Sequence, residues 1–282
     1  MPAGIGDVSA TSFITLYCHA LDARSDSPIL NDRKSVEITE SLNKTLAGSD
    51  LPLDRILLSG GLNKKLVLHI VVRAKKYDDY ARDFLNRFPD GVIINIGCGL
   101  DSRFPRIDNG RVTFYDLDLP SVISLRRDYF SETDRYRFIA SSVLNYGWMK
   151  HVRNHPGPFL FMAEGVFMYL GRDDVRSLVL RLRETFTGSE LVCEVVNSVW
   201  LSPLLKPVLD FKLQREAHLG RDAMFRSGLR DSREMETWHP GIQFLDEWSY
   251  FDSDEPKLGW LRLLRHIPWI RKTQWTVRYR LE

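Results

Sequence analysis

The sequence predicts an α/β fold in which helices cover both faces of a doubly wound, mostly parallel sheet. Two observations lead to this fold class. From residue 91 onward, short apolar runs rich in β-branched and aromatic residues alternate with segments of helical periodicity. The first such run, Val92–Ile96, has the composition of a strand buried on both faces, and a glycine-rich loop follows it directly. In such folds a ligand binds at the carboxyl ends of the strands.

The helical and strand segments follow one another in a simple order. Residues 1–90 contain little strand pattern and are expected to form a helical extension. The predicted helices cover residues 10–21, 34–46, 62–88, 120–130, 172–185, 202–221 and 232–238. The predicted strands cover residues 92–96, 112–117, 137–143, 159–163, 191–196, 243–250 and 273–281. Prolines 203 and 207 interrupt the helix predicted at 202–221, which is expected to cover a site.

Length and composition indicate one globular domain, residues 1–282. We expect a helical extension at 1–90 and a core at 91–282, with a helical cover near 198–238. Apolar residues make up 44% of the chain and charged residues 27%, which are ordinary values for a globular protein. The formal net charge of +2, from 39 basic and 37 acidic side chains, argues against a nucleic-acid partner.

The cysteine pattern and the apolar runs exclude several further classes. Cys18, Cys98 and Cys193 are widely spaced and form no C-x-x-C motif, so neither a structural zinc site nor a disulfide framework is predicted. His151 and His155 have metal-ligand spacing but lack a third ligand nearby, and no metal is expected. With no apparent signal peptide and no apolar run of membrane-spanning length, we predict a cytoplasmic protein without a membrane partner.

The loop after the first strand indicates a nucleotide ligand. Gly97-Cys98-Gly99 allows a sharp turn and a close approach of the backbone to a ligand. Asp118 follows Gly97 by 21 residues (118 − 97), the separation at which an acid binds ribose hydroxyls in nucleotide-binding folds. Ser102 replaces the third glycine of the dinucleotide fingerprint, and no P-loop motif occurs. A ligand with a ribose but no pyrophosphate fits best, and S-adenosylmethionine (AdoMet) is such a ligand.

Several charged and aromatic residues near these strands are candidates for the same site. Asp116 and Asp118 point to one side of a strand, so one of them is expected to be structural, and we favour Asp118 as the ligand. Asp101 and Arg103 either belong to the site or form an ion pair that holds the loop. Cys98 is interpreted as a small residue within the loop and not as a nucleophile.

The fourth predicted strand, Phe159–Ala163, leads directly to an acid. An acid after so apolar a run is either at a site or unpaired and costly, so Glu164 is a functional candidate. Phe167 and Tyr169 are candidates to line a sulfonium pocket, because an aromatic face stabilises a cation. Core packing is the alternative role of these two rings.

Four segments resemble the leucine carboxyl methyltransferase family, and within it the TcmP-like O-methyltransferases of polyketide biosynthesis. They are VVRAKKYDDYARDFL, INIGCGLDSRFPRI, FYDLDLPSVISLRR and AEGVFMYL. The resemblance implies a class I, Rossmann-like AdoMet-dependent methyltransferase fold. This fold has seven strands, the last of them antiparallel, and here a helical N-terminal extension. It also implies methyl transfer to oxygen, notably to carboxylates.

The resemblance also assigns roles to residues of the cofactor site. Arg73 matches an arginine that pairs with the AdoMet carboxylate, although its position beside Lys75 and Lys76 also fits an exposed helix face. Gly97 and Gly99 match the loop beneath the cofactor, Asp118 matches the acid that holds the ribose, and Glu164 matches the acid that closes the fourth strand. The segment IASSVLNYGW departs from the common pattern because it lacks an acid for the adenine amine. Backbone groups of Ser142 and Val143 are expected to serve instead.

Three functions remain compatible with the sequence. The first is an AdoMet-dependent O-methyltransferase that acts on a small-molecule carboxylate of polyketide type, with Glu164 and Tyr169 as catalytic-site residues. The second is carboxyl methylation of a protein C-terminus, and the third is a non-catalytic AdoMet-binding regulator. A carboxylate is favoured over a phenol because a phenol, with a pKa near 10, needs a general base, and no histidine belongs to a motif.

Overall fold

The computed structural model describes residues 7–216 and 224–282, which contain one seven-stranded sheet. The strands are β1 (Val92–Ile96), β2 (Thr113–Asp118), β3 (Tyr136–Ala140), β4 (Phe159–Ala163), β5 (Ser189–Val196), β6 (Ile242–Trp248) and β7 (Gln274–Leu281). Their order is β3-β2-β1-β4-β5-β7-β6, and β7 pairs antiparallel with both β5 and β6. The predicted α/β class, the seven strands and the antiparallel last strand are confirmed.

Helices cover both faces of the sheet. They are α1 (Asp7–Ala23), α2 (Arg33–Leu46), α3 (Pro52–Leu58), α4 (Lys64–Arg87), α5 (Arg103–Ile107), α6 (Pro120–Arg127), α7 (Met149–Val152), α8 (Arg172–Thr185), α9 (Lys206–Glu216) and α10 (Pro268–Arg271). Among the described residues, no helix has the length and apolarity needed to cross a membrane.

Several helix boundaries differ from the predicted ones for local reasons. The helix predicted from residue 62 begins at Lys64, because the side chain of Asn63 accepts a hydrogen bond from the Lys65 backbone and caps the helix. The helix predicted at 202–221 begins at Lys206, after Pro203, and its residues 217–221 lie outside the described part of the chain. The helix predicted at 232–238 is a 3₁₀ turn, Glu234–Thr237.

The helical extension shares a hydrophobic core with one face of the sheet. Phe13 of α1 and Tyr77 of α4 belong to the same buried cluster as Ile93 and Phe114 of the central strands. The opposite face packs Ile94 and its neighbours against α8. This shared core supports the single-domain organisation that we propose for residues 1–282.

A buried ion pair near the carboxyl ends of the central strands positions the glycine loop. Asp116 of β2 accepts hydrogen bonds from Arg126 (2.6 Å) and from the Tyr136 hydroxyl (2.6 Å). Arg126 in turn donates to the backbone oxygens of Gly99 (2.9 Å) and Asp101 (2.6 Å). Both charged side chains are completely inaccessible to solvent. The loop after β1 is therefore held from below by α6 and β2.

We predict that Asp116→Ala lowers the free energy of unfolding by about 3–5 kcal/mol, because it leaves the Arg126 guanidinium buried and unpaired. Urea denaturation of the ligand-free protein measures this change. Asp90→Ala is the control, since the Asp90–Arg111 pair is exposed to solvent and its loss is expected to have little effect. A wild-type midpoint for Asp116→Ala would contradict the role assigned to this pair.

Candidate active site

The loop after β1 needs glycine at two positions and packs closely against its neighbours. Gly97 has φ +66° and Gly99 has φ +50°, in the left-handed region that favours glycine. A Cβ on Gly97 would lie 2.5 Å from Val166 Cγ2, and one on Gly99 would lie 2.8 Å from the Cβ of Ser12. The loop is therefore enclosed between α1 and the segment that follows β4.

Asp118 ends β2 beside this loop, and its contacts differ sharply from those of Asp116. One carboxylate oxygen of Asp118 accepts the Gly99 amide (2.8 Å) and the other accepts the Leu119 amide (2.7 Å). Burial raises the pKa of Asp118, while these two backbone amides oppose that shift. Each carboxylate oxygen keeps a further lone pair that is able to accept a ribose hydroxyl. Asp116, in contrast, has the contacts of a structural residue.

The other predicted cofactor contacts lie near Asp118. The Ser141 amide donates to the Asp118 backbone oxygen (2.9 Å), which places the partly buried Ser142 and Val143 just beyond Asp118. Cys98 is buried within the loop, and burial raises the pKa of its thiol well above the ordinary value. A buried neutral thiol is consistent with the predicted role of Cys98 as a small residue and not a nucleophile.

Arg73 is buried, so it does not lie on an exposed face of α4. It is 8% exposed, and its guanidinium donates to Glu164 (Nε to Oε1, 2.8 Å) and Glu194 (Nη1 to Oε2, 3.0 Å). Burial lowers the pKa of Arg73, but the two carboxylates outweigh burial and raise it. The arginine of α4 thus joins the carboxyl ends of β4 and β5.

The second oxygen of Glu164 leads to a larger network. It accepts a hydrogen bond from Arg103 Nη2 (2.6 Å), and Arg103 also pairs with Asp101 (2.9 Å) and Asp78 (2.9 Å). Arg106 continues the network to other acids. Its contacts are Asp78 at 2.7 Å, Asp101 at 3.0 Å and Asp32 at 3.0 Å. Burial raises the pKa of Asp101, but Arg103 and Arg106 hold it at about 2.

This network contains more carboxylates than guanidinium groups. Its acids are Asp32, Asp78, Asp101, Glu164 and Glu194, and its guanidinium groups are those of Arg73, Arg82, Arg103 and Arg106. Five carboxylates therefore face four guanidinium groups (5 − 4 = 1), and His19 also contacts Asp32. Burial raises the pKa of Glu194, as expected for an acid without full compensation. AdoMet, which carries a sulfonium and an ammonium group against one carboxylate, suits such a site.

The structure adds residues that the sequence analysis missed. Glu194 lies inside the buried strand β5. An acid within an apolar run is the sequence feature that could have identified it. His69 precedes Arg73 by one helical turn, a spacing that places both side chains on the same face of α4. Burial and then Arg73 lower the pKa of His69 to about 3, against an opposing effect of Glu164.

Tyr169 lies in the short 3₁₀ turn that follows β4, and the charge of Arg73 acts on its hydroxyl. Its ring contacts Phe225 edge-on, with centroids 5.5 Å apart. Burial raises the pKa of its hydroxyl to about 12, so the group is neutral in ordinary conditions. Phe167 is buried in the core, in agreement with the packing alternative considered for it.

Comparison with known proteins identifies the family. The family model described as leucine carboxyl methyltransferase matches residues 13–182. The chain is 32% identical over 281 residues to the tetracenomycin polyketide synthesis O-methyltransferase TcmP of Streptomyces glaucescens, covering 96% of each protein. The chain belongs to the leucine carboxyl methyltransferase family.

Further relatives agree with this assignment. The S-adenosyl-L-methionine-dependent methyltransferase dpfgK of Gibberella zeae is 28% identical over 92% of this chain and 89% of its own length. Among solved structures, a DUF574 family protein from Streptomyces avermitilis gives a TM-score of 0.57 at 15% identity, covering 85% of this chain and 95% of its own. A putative methyltransferase from Thermobifida fusca gives a TM-score of 0.55 at 15% identity, covering 85% of this chain and 93% of its own. This leucine carboxyl methyltransferase family member is an AdoMet-dependent O-methyltransferase of the TcmP-like branch.

We predict that Asp118→Asn weakens binding of S-adenosylhomocysteine by about 1.5–3 kcal/mol, because hydrogen bonds to the ribose lose their charged acceptor. Isothermal titration calorimetry measures the affinity. Asp128→Asn, an exposed acid at the end of α6, is the matched control and is expected to bind like wild type. Unchanged affinity in a folded Asp118→Asn protein would remove Asp118 from the cofactor site.

We predict that Arg73→Lys lowers both the ligand-free stability, by about 1–3 kcal/mol, and the affinity for S-adenosylhomocysteine. Lysine lacks the fork that joins Glu164 and Glu194, so one of these two carboxylates loses its hydrogen bond to residue 73. Thermal melts and calorimetry measure the two quantities. Lys75→Arg, at a half-exposed cation of the same helix, is expected to stay within about 0.5 kcal/mol of wild type. Full affinity in Arg73→Lys would mean that another group binds the cofactor carboxylate.

Proposed function

We propose that the enzyme methylates a carboxylate oxygen of an aromatic, polyketide-like small molecule. The observation that carries this proposal is the state of the titratable groups near Arg73. His69, with a pKa of about 3, is too weak a base to hold the proton of a phenol, and Tyr169, with a pKa of about 12, is a neutral phenol. Glu164 and Glu194 are both engaged with Arg73. A carboxylate arrives as an anion and needs none of these groups as a base.

We further propose how the chain binds AdoMet, which supplies an electrophilic methyl group on its sulfonium when bound. Arg73 is suited to the cofactor carboxylate because an arginine forks onto a carboxylate in two parallel bonds. Glu164 or Glu194, once displaced from Arg73, is free to accept the ammonium group. The proposed cofactor-binding residues are Arg73, Gly97, Cys98, Gly99, Asp101, Asp118, Ser142, Val143 and Glu164.

An apolar cluster next to Tyr169 supports an aromatic acceptor. Met168, Val196 and Phe225 form its buried centre, and Leu201 and Leu209 pack against them. These last two residues belong to the segments that follow β5, where a helical cover was predicted. Aromatic and aliphatic side chains of this kind are suited to contact an aromatic substrate ring. Tyr169 is then proposed to line the acceptor side of the sulfonium, and Glu164 to orient the cofactor.

The names of the relatives favour a small-molecule acceptor. TcmP is a polyketide synthesis O-methyltransferase, and we extend that substrate class to this enzyme as part of the proposal. Neither a protein C-terminus as acceptor nor a purely regulatory role gains support from the described residues. We also propose a cytoplasmic location, since all three cysteines are buried free thiols.

The proposal predicts that the enzyme esterifies 2-naphthoic acid and leaves 2-naphthol unmodified. Both probes are incubated with AdoMet that carries a radiolabelled methyl group, and the organic extract is treated with mild alkali. A methyl ester releases its label as volatile methanol, whereas a methyl ether is stable.

Label that is volatile after alkali, and only with the acid, is the expected result. Stable label on 2-naphthol would contradict the carboxylate assignment and would require a general base in the site. Absence of label on both probes would contradict the class of aromatic acceptor proposed here.

A further inference from the structure

At the carboxyl ends of the parallel strands, the strand order separates a side near β2, β1 and β4 from a side near β5 and β6. Asp118 ends β2 and the glycine loop follows β1, while Glu164 follows β4. A cofactor whose ribose lies at β2 and whose methionine end lies at β4 leaves the β5 and β6 side for the acceptor. Strand β6 runs parallel to β5, because both pair antiparallel with β7, so the segment after β6 begins at this edge.

Two polar side chains meet on that side. Tyr250 begins the 3₁₀ turn just after β6, and its ring lies 4.9 Å from the ring of His69, at an angle of 54°. His69 is on the same face of α4 as Arg73, so the pair lies directly beside the network that contacts Glu164. Helix α4 and the connection after β6 therefore bring an imidazole and a phenol together next to the proposed cofactor position.

The Tyr250 hydroxyl is unusual because it is buried without a partner. Tyr250 is 8% exposed, and its hydroxyl makes no hydrogen bond within residues 7–216 and 224–282. Tyr250 belongs to an apolar cluster whose other buried members are Val72 and Leu258. Buried hydroxyl groups are nearly always hydrogen-bonded, so an unpaired one beside a site indicates a ligand or a bound water as its partner.

We propose that His69 and Tyr250 form the subsite for the acceptor carboxylate, an inference that rests on the proposed function. The Tyr250 hydroxyl and a ring N–H of His69 donate hydrogen bonds to one carboxylate oxygen. Attack by the other oxygen forms the bond to the methyl carbon as the methyl–sulfur bond breaks and its electron pair stays on sulfur. No proton is transferred in this step.

Neutral donors suit this task better than a cation. A charged group would stabilise the free carboxylate more than the transition state, in which the negative charge is partly neutralised, and it would repel the sulfonium. Burial and then Arg73 lower the pKa of His69, and Glu164 opposes this shift only in part, so the imidazole is neutral. Orientation without a full positive charge keeps the acceptor oxygen nucleophilic.

The test compares variants that keep the fold but remove one donor each. Tyr250→Phe removes the hydroxyl and keeps the ring contact, while His69→Ala removes the imidazole and His69→Gln restores an N–H donor. The affinity for 2-naphthoic acid is measured by calorimetry on protein saturated with S-adenosylhomocysteine. We expect about a tenfold loss for Tyr250→Phe and for His69→Ala, with partial recovery in His69→Gln. Affinity for S-adenosylhomocysteine is expected to stay at the wild-type value in all three.

A matched tyrosine–histidine pair elsewhere provides the control. The Tyr115 hydroxyl contacts His155 Nε2 at 2.7 Å, on β2 and after α7, away from the proposed acceptor side. Tyr115→Phe is expected to change neither affinity. In turnover with 2-naphthoic acid, the subsite variants are expected to raise KM, whereas a purely structural role for Tyr250 would not move KM.

The outcomes separate the two proposals. Wild-type affinity for 2-naphthoic acid in folded Tyr250→Phe and His69→Ala would overturn the subsite while leaving ester formation by the wild type intact. Methyl transfer to 2-naphthol by the wild type would overturn the proposed function whatever the variants do. A wild-type protein that binds S-adenosylhomocysteine but not 2-naphthoic acid would overturn both.

Discussion

The structure depends on a buried network of arginines and carboxylates that joins the helical extension to the sheet. Arg73 reaches from α4 to the ends of β4 and β5, and Arg103 and Arg106 connect the glycine-loop region with α4 and with the cap of α2, Asp32. Charges of this kind are costly to bury unless they are paired and hydrogen-bonded. The network therefore exists only when extension and core are both folded, and folding of the extension completes the cofactor site that we propose.

Much of this architecture was predictable from local sequence patterns. The seven strands follow from apolar runs whose length and β-branched content are typical of buried strands, and Gly97, Gly99 and Asp118 follow from their spacing along one βα unit. Asp118 was distinguished from Asp116 only by its position nearer the strand end. The contacts of the two carboxylates now give that choice a physical reason, since Asp116 is already saturated by Arg126 and Tyr136.

The proposed acceptor side was not predictable in the same way. Glu194, His69 and Tyr250 lie on three elements that are distant along the chain, and each is unremarkable in its own segment. They come together only through the position of α4 against β4 and β5 and through the insertion of β7 between β5 and β6. His69 belongs to no sequence motif, and only helical geometry relates it to Arg73.

The excess of carboxylates over guanidinium groups in the network has a consequence for the energetics of turnover. AdoMet carries a net charge of +1 and S-adenosylhomocysteine carries none, so the cofactor site that we propose here would attract the substrate form of the cofactor more strongly than the product form. With a carboxylate acceptor, two opposite charges meet in a buried site and both disappear as the ester forms. Exclusion of water therefore lowers the barrier, because the separated ions lose more solvation than the less charged transition state does. The same electrostatic attraction that would favour binding of AdoMet at this site would therefore also favour release of S-adenosylhomocysteine after methyl transfer.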